Sequence, residues 1–367
     1  MNIVNPAALR TGKNCFLAFR NKKINNFTGS DGIINSFAST GYYFDKISHV
    51  SYNSSEEIVR AVKDAKENYE NIVIYCPSNM QNTLKSFITT LYAAEFNALG
   101  ILKSYEGNVF MFLSDAENRL RFEDIKEILD LRYGIKLERT YVKTIWAPAT
   151  VIETAIEQAK SVCPDMSFNV TDAYGNCSIE ILYPCAISKD VYNEAMRRLL
   201  SKLNDFVYAL EDISLAQMLF RLLKLRRMKI SIAESFTGGG VGKALVDIPG
   251  ISEVYYEGLN TYSNKSKIQR LGVNEITLKH YGAVSEETAR EMAAGLINGG
   301  NCDISIATTG IAGPTSDNTA KPVGLCYIAV GTSENVSVYR YNLKGDRDTV
   351  TKTAINLALF LAYKTLK

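Results

Sequence analysis

Ser231-Ile232-Ala233-Glu234-Ser235-Phe236-Thr237-Gly238-Gly239-Gly240-Val241-Gly242-Lys243 is the stretch from which the fold is read. A buried apolar strand runs into a polar, glycine-rich turn, and the turn opens a helix. This step belongs to an α/β sheet. It presents free backbone N–H groups and the positive end of a helix, which suit a phosphate or a developing oxyanion. Ser235, Thr237, Gly238 and Gly239 are therefore candidate site residues. The same turn also reads as a tight helix entry in which glycine serves packing alone. It is not a Walker A loop: Thr237 stands where the first glycine belongs, and Ala244 where the magnesium-binding Ser or Thr belongs. Chemistry on nucleoside triphosphates is disfavoured.

Working outward, Ser214-Leu215-Ala216-Gln217 has the form of a capping box, and its helix closes on Arg226-Arg227, where cations suit the negative helix end. A domain is expected to begin there. Its elements read helix, strand (229–233), glycine-rich turn, helix, strand (254–262), two helices, strand (303–308), a hairpin (323–331 and 336–343) and a closing helix (349–366). Ser285-Glu286-Glu287 caps a helix that ends at Gly299-Gly300.

Three further segments fall at strand or helix ends of this domain. Thr261-Tyr262-Ser263-Asn264-Lys265-Ser266-Lys267 clusters hydroxyls and amines at the carboxyl edge of a strand. Lys265 reads as solvated, and the helical register turns Lys267 away from it. A lysine desolvated by apolar walls loses its proton more readily and serves as base to a serine or tyrosine hydroxyl without any histidine. Thr309-Gly310-Ile311-Ala312-Gly313-Pro314 offers a hydroxyl and two glycines for close backbone approach, or else an ordinary turn. Arg347, in Gly345-Asp346-Arg347-Asp348, suits a bidentate contact to phosphate or carboxylate, or else belongs to an exposed capping cluster. One shared cleft is the economical reading.

The remainder of the 367 residues divides in two. Up to about Glu138, apolar runs at 71–75 and 108–113 alternate with helical segments opening at Ser55 and spanning 81–99 and 122–131, as in an open α/β sheet. From about Arg139 the order is strand (142–145), helix (151–159), strands at 167–171 and 178–182 around Asp172-Ala173-Tyr174-Gly175-Asn176, and helix (191–206), a small α+β unit.

Composition narrows the function classes. Hydrophobic residues make up 46% and charged residues 22%, which fits globular domains rather than disorder. Lys and Arg total 41 against 39 Asp and Glu, a net charge of +2, so no basic field recruits nucleic acid or an anionic membrane. Met1 to Pro6 has no basic n-region leading to an apolar one, and a cytoplasmic location is expected. Seven cysteines without a C-x-x-C pair argue against a disulfide framework and a zinc ribbon. Two histidines, His49 and His280, leave little room for a His-rich metal site or a Ser-His-Asp triad. No metal and no cofactor are expected.

From about Ser214 onward the chain resembles the C-terminal domain of the CinA family of competence-damage-inducible proteins and nicotinamide-nucleotide amidohydrolases. Carrying the likeness are Ala233-Glu234-Ser235-Phe236-Thr237-Gly238-Gly239, Tyr262-Ser263-Asn264 with Lys267, Gly282-Ala283-Val284-Ser285-Glu286-Glu287, Thr309-Gly310-Ile311-Ala312-Gly313-Pro314 and Lys321-Pro322-Val323-Gly324, in the family's order. The resemblance implies a three-layer α/β/α domain at 213–367. It also implies metal-independent deamidation of nicotinamide mononucleotide to nicotinate mononucleotide and ammonia, by a serine nucleophile assisted by lysine and tyrosine. Ser235 and Ser252 are the candidate nucleophiles, unranked, with Lys267 as base and Tyr262 supporting it; Thr309 and Arg347 match positions that line the substrate site in similar enzymes. Phe236 stands where the family usually has cysteine, and Ser316-Asp317 where it usually has a glycine pair.

Residues 139–212 resemble the family's KH-like linking domain but lack a basic Gly-x-x-Gly loop, so RNA binding does not follow. Residues 1–138 stand where the family has a molybdopterin-binding-like (MoaB/MogA-like) domain associated with ADP-ribose pyrophosphatase activity. Here Cys76-Pro77-Ser78-Asn79-Met80 replaces its glycine-rich turn and aspartates, which implies a degenerate, catalytically silent relative. A homodimer is the expected assembly. The alternative function is a non-catalytic nucleotide-binding or scaffold protein.

Overall fold

The structure is a computed structural model that describes residues 13–20, 32–34, 37, 42–52, 54–97, 100–104, 107–114, 122–133, 137–316 and 320–367. Of the positions singled out above, Met1 to Pro6, Leu99 and Asp317 lie outside them. Among the described residues, strands and helices alternate along an α/β chain, and the strands form three sheets.

The first sheet has the order β2-β1-β3-β5-β4, from β1 (Asn14–Arg20), β2 (Lys46–Ser51), β3 (Asn71–Cys76), β4 (Ile101–Lys103) and β5 (Val109–Ser114). All pairings are parallel except that of β4. Helices α1 (Ser55–Asn68) and α2 (Ser78–Tyr92) pack on one face through Val62, Ala65, Leu84 and Ile88, and α3 (Phe122–Tyr133) on the other through Ile125 and Leu129. Ser54, not Ser55, caps α1, accepting from the Glu57 N–H. Helix α2 stops at Tyr92, short of the expected Leu99, because Ala93 turns left-handed at φ 47°.

The second sheet is antiparallel, in the order β7-β8-β6-β9, from β6 (Leu137–Ile145), β7 (Ser167–Ala173), β8 (Asn176–Pro184) and β9 (Val207–Ala209). Helices α4 (Ala149–Lys160) and α5 (Lys189–Leu203) pack together over Val142, Phe168, Ile179 and Ile181. The hairpin turns on Tyr174 and Gly175, at φ 58° and 75°, the positive pair of a type I′ turn.

The third sheet runs β11-β10-β12-β13-β14, from β10 (Ile230–Glu234), β11 (Tyr255–Asn260), β12 (Ile304–Gly310), β13 (Leu325–Thr332) and β14 (Val336–Asn342). Strand β10 pairs in parallel with β11 and β12, while β13 and β14 return antiparallel. One face carries α6 (Leu215–Arg226), α7 (Gly240–Val246) and α11 (Arg347–Leu366), the other α8 (Asn264–Leu271), α9 (Glu275–His280) and α10 (Glu286–Asn298). The result is the three-layer α/β/α arrangement that the resemblance implied.

Side-chain size sets these layers. Ala233, Ala307 and Ala329 lie in register across three strands and face α10, so Met292 and Ala293 approach the sheet closely. Ile230, Ile232, Ile306 and Ile328 fill the opposite face against α6 and α11. Ile145, Tyr208 and Ala209 of the second sheet join that same core. No helix among the described residues is long and apolar enough to cross a membrane.

The parallel pairing has one consequence for chemistry. The carboxyl ends of β10, β11 and β12 meet at one edge, where side chains emerge into a crevice. The domain's first helix is fixed by the expected capping box: Ser214 Oγ accepts from the Gln217 N–H at 3.2 Å, and Gln217 Oε1 from the Ser214 N–H at 2.8 Å. Replacing Ser214 by alanine is expected to lower stability by about 1 kcal/mol, read as a shift in urea unfolding.

Candidate functional site

Lys267 lies buried beneath the crevice and reaches it through Ser235. Ser263 caps α8 by accepting the Ser266 N–H, which sets the register so that Lys265 points to solvent and Lys267 to the sheet. The Lys267 side chain is 0% exposed. Its Nζ lies 2.6 Å from Thr261 O, 3.3 Å from Tyr262 O and 3.0 Å from Ser235 Oγ. Burial pushes its pKa down to about 8, because a charged amine loses hydration there.

The three partners differ in what they accept and give. A neutral amine has two N–H groups and one lone pair; the two carbonyls only accept, so they take the N–H groups. The lone pair is then left for the Ser235 hydroxyl, which is the geometry of a base poised on an alcohol.

Strand β10 delivers Ser235 to this point. The Ser235 N–H donates to Thr308 O at 3.0 Å, and Thr237 and Thr308 share a hydroxyl hydrogen bond of 2.7 Å, so the turn is stitched onto β12. Of the turn residues expected to offer their backbone to a ligand, Gly238 donates its N–H to Ser235 O at 3.2 Å, and Gly239 is also engaged within the chain. Glu234, 3% exposed, turns its carboxylate into the turn and takes the N–H groups of Gly239 (3.0 Å), Val241 (3.1 Å) and Gly242 (2.8 Å). The positive end of α7 is thus satisfied by the chain's own anion. Thr237, Gly238 and Gly239 shape the turn and do not border the cavity.

Glu234 has a role that the motif by itself does not assign. The signal was an acidic residue closing a fully buried strand just before a glycine-rich helix start, a carboxylate with no solvent to reach.

A cavity of about 310 Å³ opens beside Ser235, bordered by Phe236, Tyr262, Thr309, Gly310 and Arg347. Ala283, Val284, Gly313 and Ser316 also belong to its walls. Thr309, fully buried, donates its hydroxyl proton to Ala283 O at 2.6 Å and so holds the wall in place. Gly310 is demanded from behind: a Cβ there would come within 2.6 Å of Cys326 Cβ and 3.0 Å of the Phe236 ring. Gly313, at φ 86°, faces Val323 in the same way, at 2.7 Å. The Tyr262 ring is 67% exposed at the mouth, and its support of Lys267 comes through the backbone carbonyl rather than the phenol. Arg347 opens α11 and donates through Nη1 to Gly313 O at 2.7 Å.

Ser252 is not brought to this site. It is exposed in a short 3-10 turn, Ile251–Glu253, ahead of β11. Lys267 contacts the chain just beyond the other end of that strand, roughly 20 Å away at ~3.3 Å per residue. Of the two serines, only Ser235 meets the amine. Among the described residues, no group of three or more His, Cys, Asp or Glu side chains gathers to hold a metal ion.

Comparison with known proteins places this half of the molecule. The profile of the CinA C-terminal domain matches residues 212–366. Those residues belong to the CinA C-terminal domain family. A Clostridium beijerinckii protein with a competence-damage-inducible name is 51% identical over 150 residues, which are 41% of this chain and 37% of that relative. A CinA-like protein of Fervidobacterium nodosum is 35% identical over 266 residues, 71% of this chain and 64% of the relative. The chain therefore spans less than two thirds of the length of these curated relatives. Among solved structures, a CinA superfamily protein of Klebsiella pneumoniae shows 30% identity and a TM-score of 0.41, covering 41% of this chain and 95% of that one.

The buried amine leaves a thermodynamic mark. Its pKa is about 8 in the fold against an ordinary 10.5, so between those values the unfolded chain binds more protons and stability rises with pH. The unfolding free energy of wild type relative to Lys267→Met is expected to increase across that window by up to ~3 kcal/mol, measured by urea unfolding at each pH.

Proposed function

We propose that the CinA C-terminal domain of this chain hydrolyses the carboxamide of a pyridine mononucleotide, turning nicotinamide mononucleotide into nicotinate mononucleotide and ammonia. The observation that carries this reading is the Lys267 amine, buried, with a depressed pKa, and 3.0 Å from Ser235 Oγ. Ser235 Oγ attacks the carboxamide carbon while Lys267 Nζ takes its proton. The resulting oxyanion needs donors, and those of α7 are taken by Glu234. The amide of Phe236, directly after the nucleophile and bordering the cavity, has no acceptor among the described residues and is assigned that task. Lys267 returns the proton to the departing amine, and ammonia leaves. Water, deprotonated by the same amine, then cleaves the acyl-serine ester to release the acid and restore the hydroxyl.

Arg347 at the rim takes the phosphate, and the exposed Tyr262 ring offers its face to the pyridine. No cofactor enters this scheme. The first 138 residues, with Cys76-Pro77-Ser78-Asn79-Met80 after β3, are read as a non-catalytic companion.

Full-length protein incubated with nicotinamide mononucleotide is expected to release ammonia in the presence of EDTA. Ser235→Ala and Lys267→Ala should each lower kcat by at least about a thousandfold, whereas Ser252→Ala should leave it within twofold. Stabilisation by the mononucleotide without any ammonia would instead mark a binding protein that has lost turnover. Because only the uncharged amine accepts a proton, kcat/KM should climb with pH and level off above about 8. A profile flat from pH 6 to 9 would remove Lys267 from the base role.

A further inference from the structure

Two bulky residues adopt the left-handed backbone conformation close together: Trp146 at φ 58° and Tyr174 at φ 58°. Such side chains are poorly suited to that region, and the first central position of a type I′ turn favours asparagine or glycine instead. Backbone held this way persists only where its surroundings fix it. The fixing contacts all lie where the second sheet meets β14 and α11.

Trp146 donates its N–H to Gly175 O at 2.7 Å, and its indole lies so close that a Cβ on Gly175 would come within 2.9 Å. Its other side meets Tyr341 of β14 edge-on, 6.4 Å between ring centres. The indole is thus a wedge that aims the hairpin tip. Tyr174 then reaches α11. Its ring lies 4.8 Å from the Lys352 ammonium, its hydroxyl donates to Asp348 Oδ2 at 3.3 Å and accepts from Lys352 Nζ at 3.2 Å, and Lys352 pairs with Asp348 at 2.7 Å. One turn on, Asn356 Nδ2 donates to the carbonyls of Ala173 (3.3 Å) and Tyr174 (3.2 Å). Residues 348, 352 and 356 form one face of the helix, four positions apart, and the hairpin grips all three.

The residue before Asp348 is Arg347, which borders the cavity and donates to Gly313 O. The first turn of a helix is its weakest, and a guanidinium carried on it loses freedom when it binds an anion. We infer that Tyr174 is a positioning residue: the hairpin of the second sheet holds the first turn of α11 so that Arg347 is already in place for the phosphate of the substrate. The inference rests on the reaction proposed above and adds that the second sheet tunes affinity for the anionic end of the substrate. Arg347 contacts the substrate away from the reacting carboxamide, so its contact is the same in ground and transition states, and the effect falls on KM rather than kcat.

The test is Tyr174→Asn in the full chain, a change that suits the type I′ turn and keeps the hairpin folded. Expected are a fivefold to tenfold rise in KM for nicotinamide mononucleotide, kcat within twofold, and an unchanged kcat/KM for nicotinamide riboside, which lacks the phosphate. Tyr174→Phe keeps the ring over Lys352 and should recover at least half of the lost affinity. Amide hydrogen exchange across residues 346–352 in the unliganded protein should be several-fold faster in Tyr174→Asn than in wild type. Unchanged exchange overturns the inference, as does an equal loss with the mononucleotide and the riboside. Should wild type release no ammonia from either compound, the proposed reaction fails, and the exchange comparison still decides whether Tyr174 holds the start of α11.

Discussion

A lysine ammonium taken out of water is held against its preference, and the architecture around Lys267 follows from that constraint. The side chain has no exposed surface, no carboxylate among its hydrogen-bond partners, and two backbone carbonyls plus one alcohol within reach. A paired carboxylate would have kept the amine charged at neutral pH, whereas carbonyl dipoles soften the desolvation only in part. The depressed pKa is the residue of that imbalance. Supporting it takes a rigid frame, because an amine free to swing toward solvent would regain both its hydration and its proton. The close seating of α10 on an in-register row of alanines, and the capped start of α8, supply that rigidity.

Glu234 solves the complementary problem next door. A sharp strand-to-helix turn leaves several N–H groups without partners, and in a buried setting each is costly. One carboxylate satisfies three of them and at the same time neutralises the positive end of α7. The consequence is a division of labour between two adjacent residues: Glu234 closes the turn from inside, and Ser235 faces the cavity. In the proposed reaction, the counter-charge for an anionic substrate is therefore assigned to Arg347 and not to the helix end.

The sequence revealed these features unevenly. Glycine-rich turns after buried strands, the capping box at Ser214, the N-cap at Ser285, and the burial of Lys267 against the exposure of Lys265 all follow from local signals, and the structure repeats them. Strands β1, β2, β4 and β9 were not anticipated. β1 is a continuous apolar run, which a strand buried on both faces shares with a core helix, and β4 and β9 are three residues each, too short to show a period. The choice between Ser235 and Ser252 was equally hidden, since it depends on which end of β11 each serine adjoins. That is a property of parallel strand order and not of spacing along the chain. Glu234 was visible as a residue but not as a partner, because its acceptor role appears only once the turn has folded back on it.

Helix α11 ties these pieces into one argument. It closes the core of the third sheet through Val350, Ala354, Leu357 and Ala358, and that same core takes in Ile145, Tyr208 and Ala209 from the second sheet. A helix packed on so many sides tolerates little rotation, so a contact on its solvent-facing stripe is transmitted along its length with small loss. The hairpin at Tyr174 grips that stripe, and Arg347 sits at its head. The second sheet therefore has a physical role even without the glycine-rich turns of the third: it covers part of a shared apolar core and, on the inference drawn above, steadies the first turn of the helix that carries Arg347. Cover of that core and placement of Arg347 are, on this view, two effects of one packing contact.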